Sequence, residues 1–563
     1  MDGWSVSDHI LSKNGYRGYF AESKVSTTLD SGKPKKAYYV EGSGWDMGWL
    51  HGALAAEEMA AQCDGWVPGQ SMEPKQVNDV SLTCESYEAL LNGIEVWLIS
   101  ATRASYDREA EKIPAELTEE MNGFVEGAMS KDPNCGCTFN KMLFMNYGID
   151  VLMSSIYSGQ LPSVLAQTAT VESPHLPARV LEELAALSPK AFHNPVFCNA
   201  FGVSGKATTS GSDIFMGRDF QMPTGLVYQT IAADVVYMPT DGRLPTISSG
   251  IPGFIGRVTG INTHGVMMGV DMLYARPNTP QYPGLNSLLL VRHVLDRAVS
   301  TAAAIEIIAE APRGVSWIYP VCDGTGVCVV VEAGPYMDPG EAFNPLQYVN
   351  SSKVKAALPS ADFYQENPSP CTFDRGIFVR GMDFKYPEQY LSYNEGLYEV
   401  AGIQYDQSRW GSSGYLFDTF QDDLKDTGCC LHSNFFLPQR EEFTDTILIS
   451  NVAMTPEFRT AMMSYATDAL EKVAHSATFR YDSLNDVVSQ SWGSIDIDKA
   501  IYMMEFLSPE RTPGYWDNTI NDDPMSAMVE GTMNVADINH LRLYTKTGYW
   551  CDDWTHLTLK NFL

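Results

Sequence analysis

Apolar and polar positions recur with two different periods along this chain, and the period changes near residue 190. Before that point, small and apolar residues recur every three or four positions, which is the spacing of one helix face. A short strand at Ala37–Glu41 precedes these segments. The spacing predicts helices at about 44–62, 85–105, 108–130, 138–158 and 178–188. The first part of the chain is therefore expected to be mostly helical.

After Pro195 the chain consists of short runs rich in β-branched residues, separated by Gly, Pro, Asn and Asp. Such runs predict strands. They lie at Val196–Val203, Asp213–Phe220, Val227–Met238, Val266–Leu273, Val315–Cys322 and Val327–Glu332. Two helical segments, Ser287–Ala298 and Ala302–Ala311, stand among them. Strand pairs with helix pairs predict layered sheets and helices of the α+β class, whereas residues 335–445 show little periodicity and are interpreted as an irregular insertion.

Composition narrows the functional classes that the chain can belong to. The 563 residues are 44% hydrophobic and 19% charged, which is enough apolar material for several cores. The net charge of −31, with no Lys- or Arg-rich stretch, argues against a nucleic-acid partner. No run reaches the ~18 to 20 apolar residues that span a bilayer. Residues 1–5 lack a secretory signal pattern. Two compartments are therefore considered: the cytoplasm or, if a signal peptide was trimmed from the chain, a secreted or lysosome-like location.

Motifs of several common enzyme classes are missing or incomplete. The chain has neither a His-Glu-x-x-His zinc helix nor a Gly-x-Ser-x-Gly nucleophile turn. Gly205-Lys206-Ala207 lacks the upstream Gly and the Ser or Thr of a phosphate loop. Cys135 and Cys137 have no matching second Cys or His pair, which favours a structural or disulfide role over a metal site. We therefore expect neither a metal nor another cofactor.

One segment of the chain contains a candidate nucleophile that belongs to none of these motifs. A Cys opens the strand within Asn194–Gly202, a turn follows, and the next strand, within Gly211–Phe220, ends in Gly217-Arg218-Asp219. This arrangement resembles the N-terminal nucleophile amidohydrolases of the acyl-coenzyme A:6-aminopenicillanic acid acyltransferase type, whose wider relatives are choloylglycine hydrolases and phospholipase B-like proteins. In that superfamily the Cys begins the mature catalytic chain, and an Arg lies beside it. The resemblance implies that Cys198 is the nucleophile and Arg218 its neighbour.

Further segments match the family's motifs in order along the chain. They are the Gly-spaced helix Gly44–Gly52, the strand motif Gly260–Asp271, the helix Leu289–Arg297, the hairpin Val321–Glu332, the strand Ile449–Val452 and the late segment Ala477–Tyr481. The spacing in the first of these favours close helix packing over a binding site. The resemblance implies that Asn451 belongs to an oxyanion hole and that Arg480 lies near the nucleophile. The alternative to Asn451 is His432-Ser433-Asn434, and the Pro456-Glu457 that follows Asn451 favours the former choice.

Two positions depart from the family's pattern. Gln221 replaces the acid expected three residues after the Arg, while Asp219 stands one residue after it. Asp271 occupies the place of the first oxyanion Asn, where an ionised carboxylate would repel a developing negative charge. Either Asp271 is protonated, or a backbone N–H takes its place, or the substrate differs. Asp219 and Asp271 are candidate site residues whose roles the sequence leaves open.

The chemistry implied by the resemblance needs a chain terminus at Cys198. A thiolate is the effective nucleophile, and an N-terminal Cys carries its own α-amine as a base that titrates near neutral pH. That amine exists only when the Phe197–Cys198 bond is cut, so the chain is expected to be a self-processing precursor. The expected domains are a helical segment, 1–197, packed against a four-layer αββα region at 198–563.

The predicted function is hydrolysis or acyl transfer at a linear amide, through an acyl-enzyme on Cys198. The expected partner is a small N-acyl amide, and the oligomeric state, a homo-oligomer included, stays open. Three alternatives remain. They are a phospholipase B-like ester or lipid hydrolase, a catalytically silent binding protein with the same fold, and a conventional Cys–His pair that uses His264 or His432.

Overall fold

The structure is a computed structural model that describes part of the chain. The described residues are 3–27, 33–65, 98–157, 198–220, 231–272, 283–315, 317–336, 374–380, 429–433, 487–488, 490–505, 532–547 and 553–563. The candidate residues Asn451 and Arg480 lie outside these ranges, as do the predicted helix at 178–188 and most of the 335–445 insertion.

Helices form at the main positions that the apolar spacing predicts. They are α1 (Gly44–Leu54), α2 (Ala56–Gly65), α3 (98–109), α4 (Ala115–Lys131), α5 (Phe139–Tyr157), α6 (Ser287–Leu295), α7 (Thr301–Glu310) and α8 (Ile497–Glu505). Helix α1 begins at a capping box in which Ser43 Oγ accepts from the Asp46 N–H at 3.3 Å. The Asp46 carboxylate accepts in turn from the Ser43 N–H at 3.2 Å, so two N–H groups at the helix start are satisfied.

The strands are numbered in chain order. They are β1 (Trp4–Val6), β2 (Leu11–Lys13), β3 (Tyr16–Thr27), β4 (Pro34–Gly42), β5 (Cys198–Ser204), β6 (Ile214–Phe220), β7 (Ala233–Pro239), β8 (Thr246–Gly250), β9 (Thr259–Asn262), β10 (Met267–Gly269), β11 (Asp271–Met272), β12 (Trp317–Cys322), β13 (Cys328–Ala333), β14 (Ile377–Arg380), β15 (Cys429–Ser433), β16 (Thr532–Asp537), β17 (Arg542–Thr547) and β18 (Thr555–Thr558). The predicted strands after Pro195 are confirmed, most of them with shifts of one or two residues at their ends. The strand predicted at Val227–Met238 begins at Ala233 in the described residues, and the one predicted at Val266–Leu273 is divided into β10 and β11.

These strands form two sheets. The large sheet has the order β1-β3-β4-β7-β8-β9-β10-β12-β13-β14, with β2 on β3 and β11 on β12. The small sheet has the order β15-β5-β6-β16-β17-β18. Strands β4 and β7 run parallel, with Tyr39 opposite Val236, whereas β5 is antiparallel to both of its neighbours. The small sheet therefore holds β5 as an interior strand.

The two sheets pack face to face, and helices cover their outer faces. A buried apolar cluster joins Met216 and Leu543 of the small sheet to Val236 and Ile318 of the large sheet. A second cluster packs helices α1, α4, α5, α6 and α7 on the outer face of the large sheet. In a third, Met504 of α8 lies in the same cluster as apolar residues of β5, β6 and β16. The order is helix, sheet, sheet, helix, so the predicted αββα layering is confirmed.

The N-terminal part of the chain differs from the sequence prediction. The pattern predicted one short strand there, at Ala37–Glu41, but residues 3–42 form four strands, β1 to β4, and β4 pairs with β7 inside the large sheet. The prediction that 1–197 is a helical body packed against a separate sandwich was wrong for this segment. Strand β3 carries many polar residues because it is only partly buried, and its sequence has no continuous apolar run.

Helices α1 and α4 cross at van der Waals contact of their backbones. A Cβ added at Gly48 or Gly52 would overlap the carbonyl oxygen of Glu120 or Phe124 of α4. A Cβ at Gly127 would overlap the carbonyl oxygen of Trp49 in the same way. The glycine spacing of α1 therefore serves helix packing, as the sequence indicates.

The cysteines of the described segments take two forms. Cys322 and Cys328 form a disulfide across β12 and β13, and both sulfur atoms pack on the bare Cα of Gly202 in β5. Cys135 and Cys137 carry buried thiols, with Cys135 Sγ lying 3.8 Å from the sulfur of Met129. Within the described segments, no helix has the length and apolar character needed to cross a bilayer.

Asp150 of α5 makes the stability of the fold depend on pH. It is fully buried, and it accepts from Ser287 Oγ at 2.7 Å and from Trp317 Nε1 at 2.8 Å. Burial raises its pKa to about 7, against the lowering effect of these two neutral donors. As pH rises from the ordinary range of a carboxyl group toward 7, the unfolded chain loses this proton first. The free energy of unfolding therefore falls by up to about 1.4 kcal/mol per pH unit.

We expect Asp150→Asn to remove this dependence, because the amide can accept from Trp317 and donate to the Ser287 hydroxyl. In urea unfolding, the variant should gain about 2 kcal/mol on the wild type between pH 5.5 and pH 7, and no more above pH 8. The exposed Asp8→Asn is the matched control and should show no such change. A constant difference between Asp150→Asn and wild type across this pH range would contradict the prediction.

Candidate active site

The candidate nucleophile lies at the beginning of an interior strand. Strand β5 begins at Cys198, which carries a thiol and is only 1% exposed. Its partner across the ladder with β6 is Phe220, and residues directly opposite each other point to the same face of a sheet. Because side chains alternate along a strand, Arg218 shares this face with Phe220. The strand geometry therefore places Cys198 and Arg218 side by side.

Arg218 fills the space between the two sheets next to Cys198. Its Nη2 donates to Cys198 Sγ at 3.5 Å and to Asp271 Oδ1 at 2.9 Å. Its Nε donates to the same Asp271 oxygen at 3.2 Å. Nη1 donates to Thr259 Oγ1 at 3.1 Å, and Nη2 also contacts the carbonyl oxygen of Val270. The small sheet supplies the guanidinium, and strands β9 to β11 of the large sheet supply its acceptors.

The ion pair of Arg218 and Asp271 is completely buried, with both side chains 0% exposed. Burial by itself lowers the pKa of Arg218, but the negative charges that Cys198, Asp271 and Asp219 carry when ionised outweigh it, and the pKa is raised. The guanidinium therefore stays charged. A Cβ at Gly269 would lie 3.0 Å from Arg218 Nε, so this glycine leaves room for the buried side chain.

Asp219 lies on the opposite face of the small sheet from Arg218. Its Oδ1 and Oδ2 accept from Asn199 Nδ2 at 3.1 and 2.9 Å, and its Oδ1 also accepts the backbone N–H of Asn199. Asn199 and Asp219 are opposite each other in the ladder, and each is 1% exposed. Asp219 therefore binds the residue that follows Cys198 in the chain.

Three of the six residues that the sequence singles out come together, namely Cys198, Arg218 and Asp271. Asp219 binds Asn199, the neighbour of Cys198, and its negative charge also helps to raise the pKa of Arg218. Sequence reasoning missed Asn199: the period of two along β5 and β6 shows which face each residue is on, but the register that places Asn199 opposite Asp219 is seen only in the structure. It also missed Thr259, which carries no local signal because its contact with Arg218 joins two sheets.

The structure also places His264, the alternative base of the sequence analysis, and Asn262, which belongs to the matched strand motif Gly260–Asp271. His264 is exposed, in the turn at the end of β9 away from Thr259. Asn262 serves the fold, because its Oδ1 accepts the N–H groups of His264 and Val266, and its Nδ2 donates to carbonyl oxygens at the end of α6. The described residues contain no group of three or more His, Cys, Asp or Glu side chains that could hold a metal ion.

The other neighbour of β5 is β15. Its register places Ser433 opposite Asn199 and His432 opposite Ala200. Asn434 is the next residue in the chain and lies outside the described residues, as do the side chains of β15. In the segment His432-Ser433-Asn434, the first two residues are thus the last two of β15. They pair with β5 next to its first residue, Cys198.

Comparison with known proteins gives one family match, which covers part of the chain. Residues 214–341 match the family model described as acyl-coenzyme A:6-aminopenicillanic acid acyl-transferase. This range contains Arg218, Asp219 and Asp271 and begins after Cys198. The match confirms, for these residues, the resemblance that the sequence motifs indicate.

Relatives in sequence and in structure are distant. Over 544 residues, the chain is 25% identical to an uncharacterized protein of Archaeoglobus fulgidus, which covers 96% of this chain and 67% of the relative. Penicillin V acylase from Agrobacterium tumefaciens is 11% identical with a TM-score of 0.33, over 64% of this chain and 86% of the acylase. A mutant of conjugated bile acid hydrolase from Clostridium perfringens is 10% identical with a TM-score of 0.30, over 64% and 93% of the two chains.

Proposed function

We propose that this protein is a cysteine N-terminal nucleophile amidohydrolase or acyltransferase that cleaves a linear N-acyl amide through an acyl-enzyme on Cys198. The observation that carries the proposal is the 3.5 Å contact between Cys198 Sγ and the buried guanidinium of Arg218, between two packed sheets. The match of residues 214–341 to an acyltransferase family supports the same class of reaction. Together they favour acyl transfer to sulfur.

Arg218 is proposed to stabilise the thiolate of Cys198. A cation within hydrogen-bond reach favours the deprotonated form of a thiol, which is its nucleophilic form. Asp271 accepts from Nε and Nη2, and Thr259 accepts from Nη1, so the plane of the guanidinium is fixed from two sides. Asp271 is thus a positioning residue for Arg218, and the positive charge faces the sulfur in one orientation.

The α-amine of Cys198 is proposed as the base, once the bond to Phe197 is cut. The amine takes the thiol proton, the sulfur attacks the amide carbonyl, and the amine then protonates the leaving nitrogen as the intermediate collapses to a thioester. Water or an acceptor amine attacks the thioester carbonyl, and the thiol is released. In the precursor the thiol attacks the carbonyl of Phe197 instead, and collapse of the intermediate breaks the Phe197–Cys198 C–N bond, so that the α-amine is freed and Phe197 is held on Sγ as a thioester. Water then hydrolyses this thioester, which releases the carboxylate of Phe197 and the thiol of Cys198.

The oxyanion donor is proposed to come from outside the Arg218–Asp271 pair. Asp271 accepts two hydrogen bonds from Arg218, so its carboxylate presents acceptors where a developing oxyanion needs a donor. The sequence favours Asn451, whereas the register of β15 beside β5 supports Asn434. Of the two, we now propose Asn434.

We expect Asn434→Ala to lower kcat by about 10²- to 10³-fold, the loss typical of removing one oxyanion donor. Asn451→Ala should change kcat by less than about tenfold, and it serves as the matched control. Steady-state kinetics on an N-acyl amide, with circular dichroism to confirm folding, measure both. The opposite order of effects would assign the donor to Asn451.

The experiment that tests the function combines intact mass with turnover. Purified protein is first weighed, and the proposal expects fragments 1–197 and 198–563 with Cys198 as the new N-terminus. The protein is then incubated with a panel of N-acyl amides and with a thiol-reactive amide probe. The proposal expects turnover of at least one amide and covalent labelling on Cys198. No labelling and no turnover would support the silent binding protein.

Ester substrates distinguish the proposed amidohydrolase from the alternative, a phospholipase B-like hydrolase. A thioester intermediate can form from esters as well as from amides, so a phospholipase B-like hydrolase would share the nucleophile. Relative kcat/KM on matched amide and ester pairs with the same acyl group decides between the two. A preference for the amide relative to the uncatalysed rates supports the amidohydrolase.

Cleavage before Cys198 is expected to leave the two fragments bound to each other. Strand β4 lies inside the large sheet between β3 and β7, so fragment 1–197 provides part of the sheet itself. Lys35, 1% exposed, also reaches across the sandwich, with Nζ donating to Thr545 Oγ1 at 2.5 Å and lying 3.3 Å from Asp234 Oδ2. Processed protein should elute as one species in native gel filtration and as two bands in denaturing gels. Release of 1–197 under native conditions would contradict this expectation.

A further inference from the structure

The outer face of the small sheet holds a buried polar pair directly behind the candidate nucleophile. Asn199 and Asp219 are each 1% exposed, and Phe201, on the same face of β5 as Asn199, belongs to the apolar cluster that includes Met504 of α8. One carboxylate accepts three hydrogen bonds from this single Asn, two from the side-chain amide and one from the backbone N–H. Burying a carboxylate is unfavourable unless such bonds compensate it. The arrangement is therefore specific to the conformation of residue 199.

The backbone bond is the informative one. The N–H of Asn199 belongs to the peptide unit that begins at Cys198 Cα. The nitrogen whose hydrogen Asp219 accepts is therefore separated from the Cα of Cys198 by one carbonyl carbon. Planarity of the peptide unit means that fixing this N–H also fixes the carbonyl and the Cα of Cys198. Arg218 contacts the sulfur from the inner face, and Asp219 holds the backbone from the outer face.

We propose that Asp219 is a positioning residue that acts through Asn199 to hold the nucleophile after the chain is cut. This inference rests on the proposed function. Once Cys198 is a chain terminus, it carries both the attacking sulfur and the amine base, and terminal residues fray unless they are tied down. A misplacement of about 1 Å at a reacting group can cost on the order of 10²-fold in rate. The Asp219–Asn199 pair prevents this loss by anchoring the first peptide unit of the mature chain.

The position of Asp219 next to Arg218 on β6 indicates which kinetic step Asp219 affects. Because Arg218 and Asp219 are adjacent on β6, one strand presents a cation to the sulfur and a carboxylate to the backbone of the same short segment. Removing Asp219 should therefore leave substrate binding intact and affect the step in which sulfur and amine must be aligned.

Three variants test the proposal on the processed protein with an N-acyl amide. Asp219→Ala removes all three bonds and should lower kcat by about 100-fold, with KM changed by less than about twofold. Asn199→Ala keeps the backbone bond and should lower kcat by about tenfold. In Asp219→Asn the amide oxygen can still accept the backbone N–H, so its kcat should lie above that of Asp219→Ala. Asp213→Ala, partly exposed at the start of β6, is the matched control and should retain wild-type kinetics.

A second measurement separates this proposal from the proposed function. In the uncut Cys198→Ala background, hydrogen exchange of the Asn199 amide should be slow, and Asp219→Ala should make it faster while the sandwich stays folded at the temperature of the measurement. Wild-type kcat in Asp219→Ala, or a fall in kcat explained entirely by unfolding, would overturn the positioning role and leave the function standing. A wild type that neither cuts itself nor turns over amides would overturn the function and this role together, even where the exchange result holds.

Discussion

Cys198→Ala is expected to remain a single chain of 563 residues and to lower the turnover of N-acyl amides by about 10³- to 10⁶-fold. The physical reason is that one atom, Cys198 Sγ, is proposed both to cut the precursor and to form the acyl-enzyme. Arg218 would still be present but would have no sulfur to stabilise. Intact mass measures the first effect, and initial rates on the best amide of the panel measure the second.

Cys137→Ala is the matched control for this experiment, because Cys137 is another buried thiol, located before α5. It should process and turn over substrate like the wild type. Full turnover by Cys198→Ala would place the nucleophile elsewhere. If the wild type stays intact yet turns over amides, Cys198 would remain the proposed nucleophile, but its α-amine could not be the base. A conventional Cys–His pair would then have to supply the base.

Gly48→Ala is expected to destabilise the fold by about 3 kcal/mol, the upper end of the usual range for forced overpacking. At an exposed helix position this change would stabilise a protein by up to about 1 kcal/mol, because Ala is the better helix former. Here the added Cβ would overlap the backbone oxygen of Glu120, which cannot rotate away. Helices α1 and α4 must therefore separate, and the buried apolar side chains between them lose contact. Urea or thermal unfolding measures the difference.

Gly324→Ala is the control for the chemical change itself. It lies in the turn between β12 and β13, where a Cβ would meet only the backbone oxygen of His264 at an ordinary 3.5 Å. We expect a change in unfolding free energy within about 1 kcal/mol. If Gly48→Ala is no more destabilising than Gly324→Ala, the two helices are not held at backbone contact.

The sequence predicts the second half of the fold well and the first strands poorly. Strands such as β5, β6 and β12 are buried along their whole length, and each appears in the sequence as a short, largely apolar segment close to turn-forming residues. Strand β3 is partly exposed and has a polar sequence, and its identity depends on pairing with β4. The register of β4 with β7 depends in turn on residues far away in the chain. No local pattern carries that information.

The sequence likewise predicts one part of the candidate site and not the other. Motif order was enough to bring Cys198 and Arg218 together, because both stand on neighbouring strands of one hairpin. The pairing of Arg218 with Asp271 could not be read from the chain, since it joins the two sheets. The opposite orientation of Asp219 could have been predicted from strand alternation alone. Asn451 and Arg480, outside the described residues, stay predictions.

The parallel pairing of β4 with β7 has a consequence for how the molecule reaches its native state. Strand β4 ends at Gly42 and β7 begins at Ala233, so the middle of the large sheet closes only after the intervening segment 43–232 has been made. In an uncut chain this closure is a slow but intramolecular step. If the chain is cut before Cys198, the same closure joins two molecules, and the rate of refolding after denaturation becomes proportional to protein concentration. The precursor would then fold at any dilution, whereas the mature protein, once unfolded, would depend on a bimolecular encounter to recover its sheet.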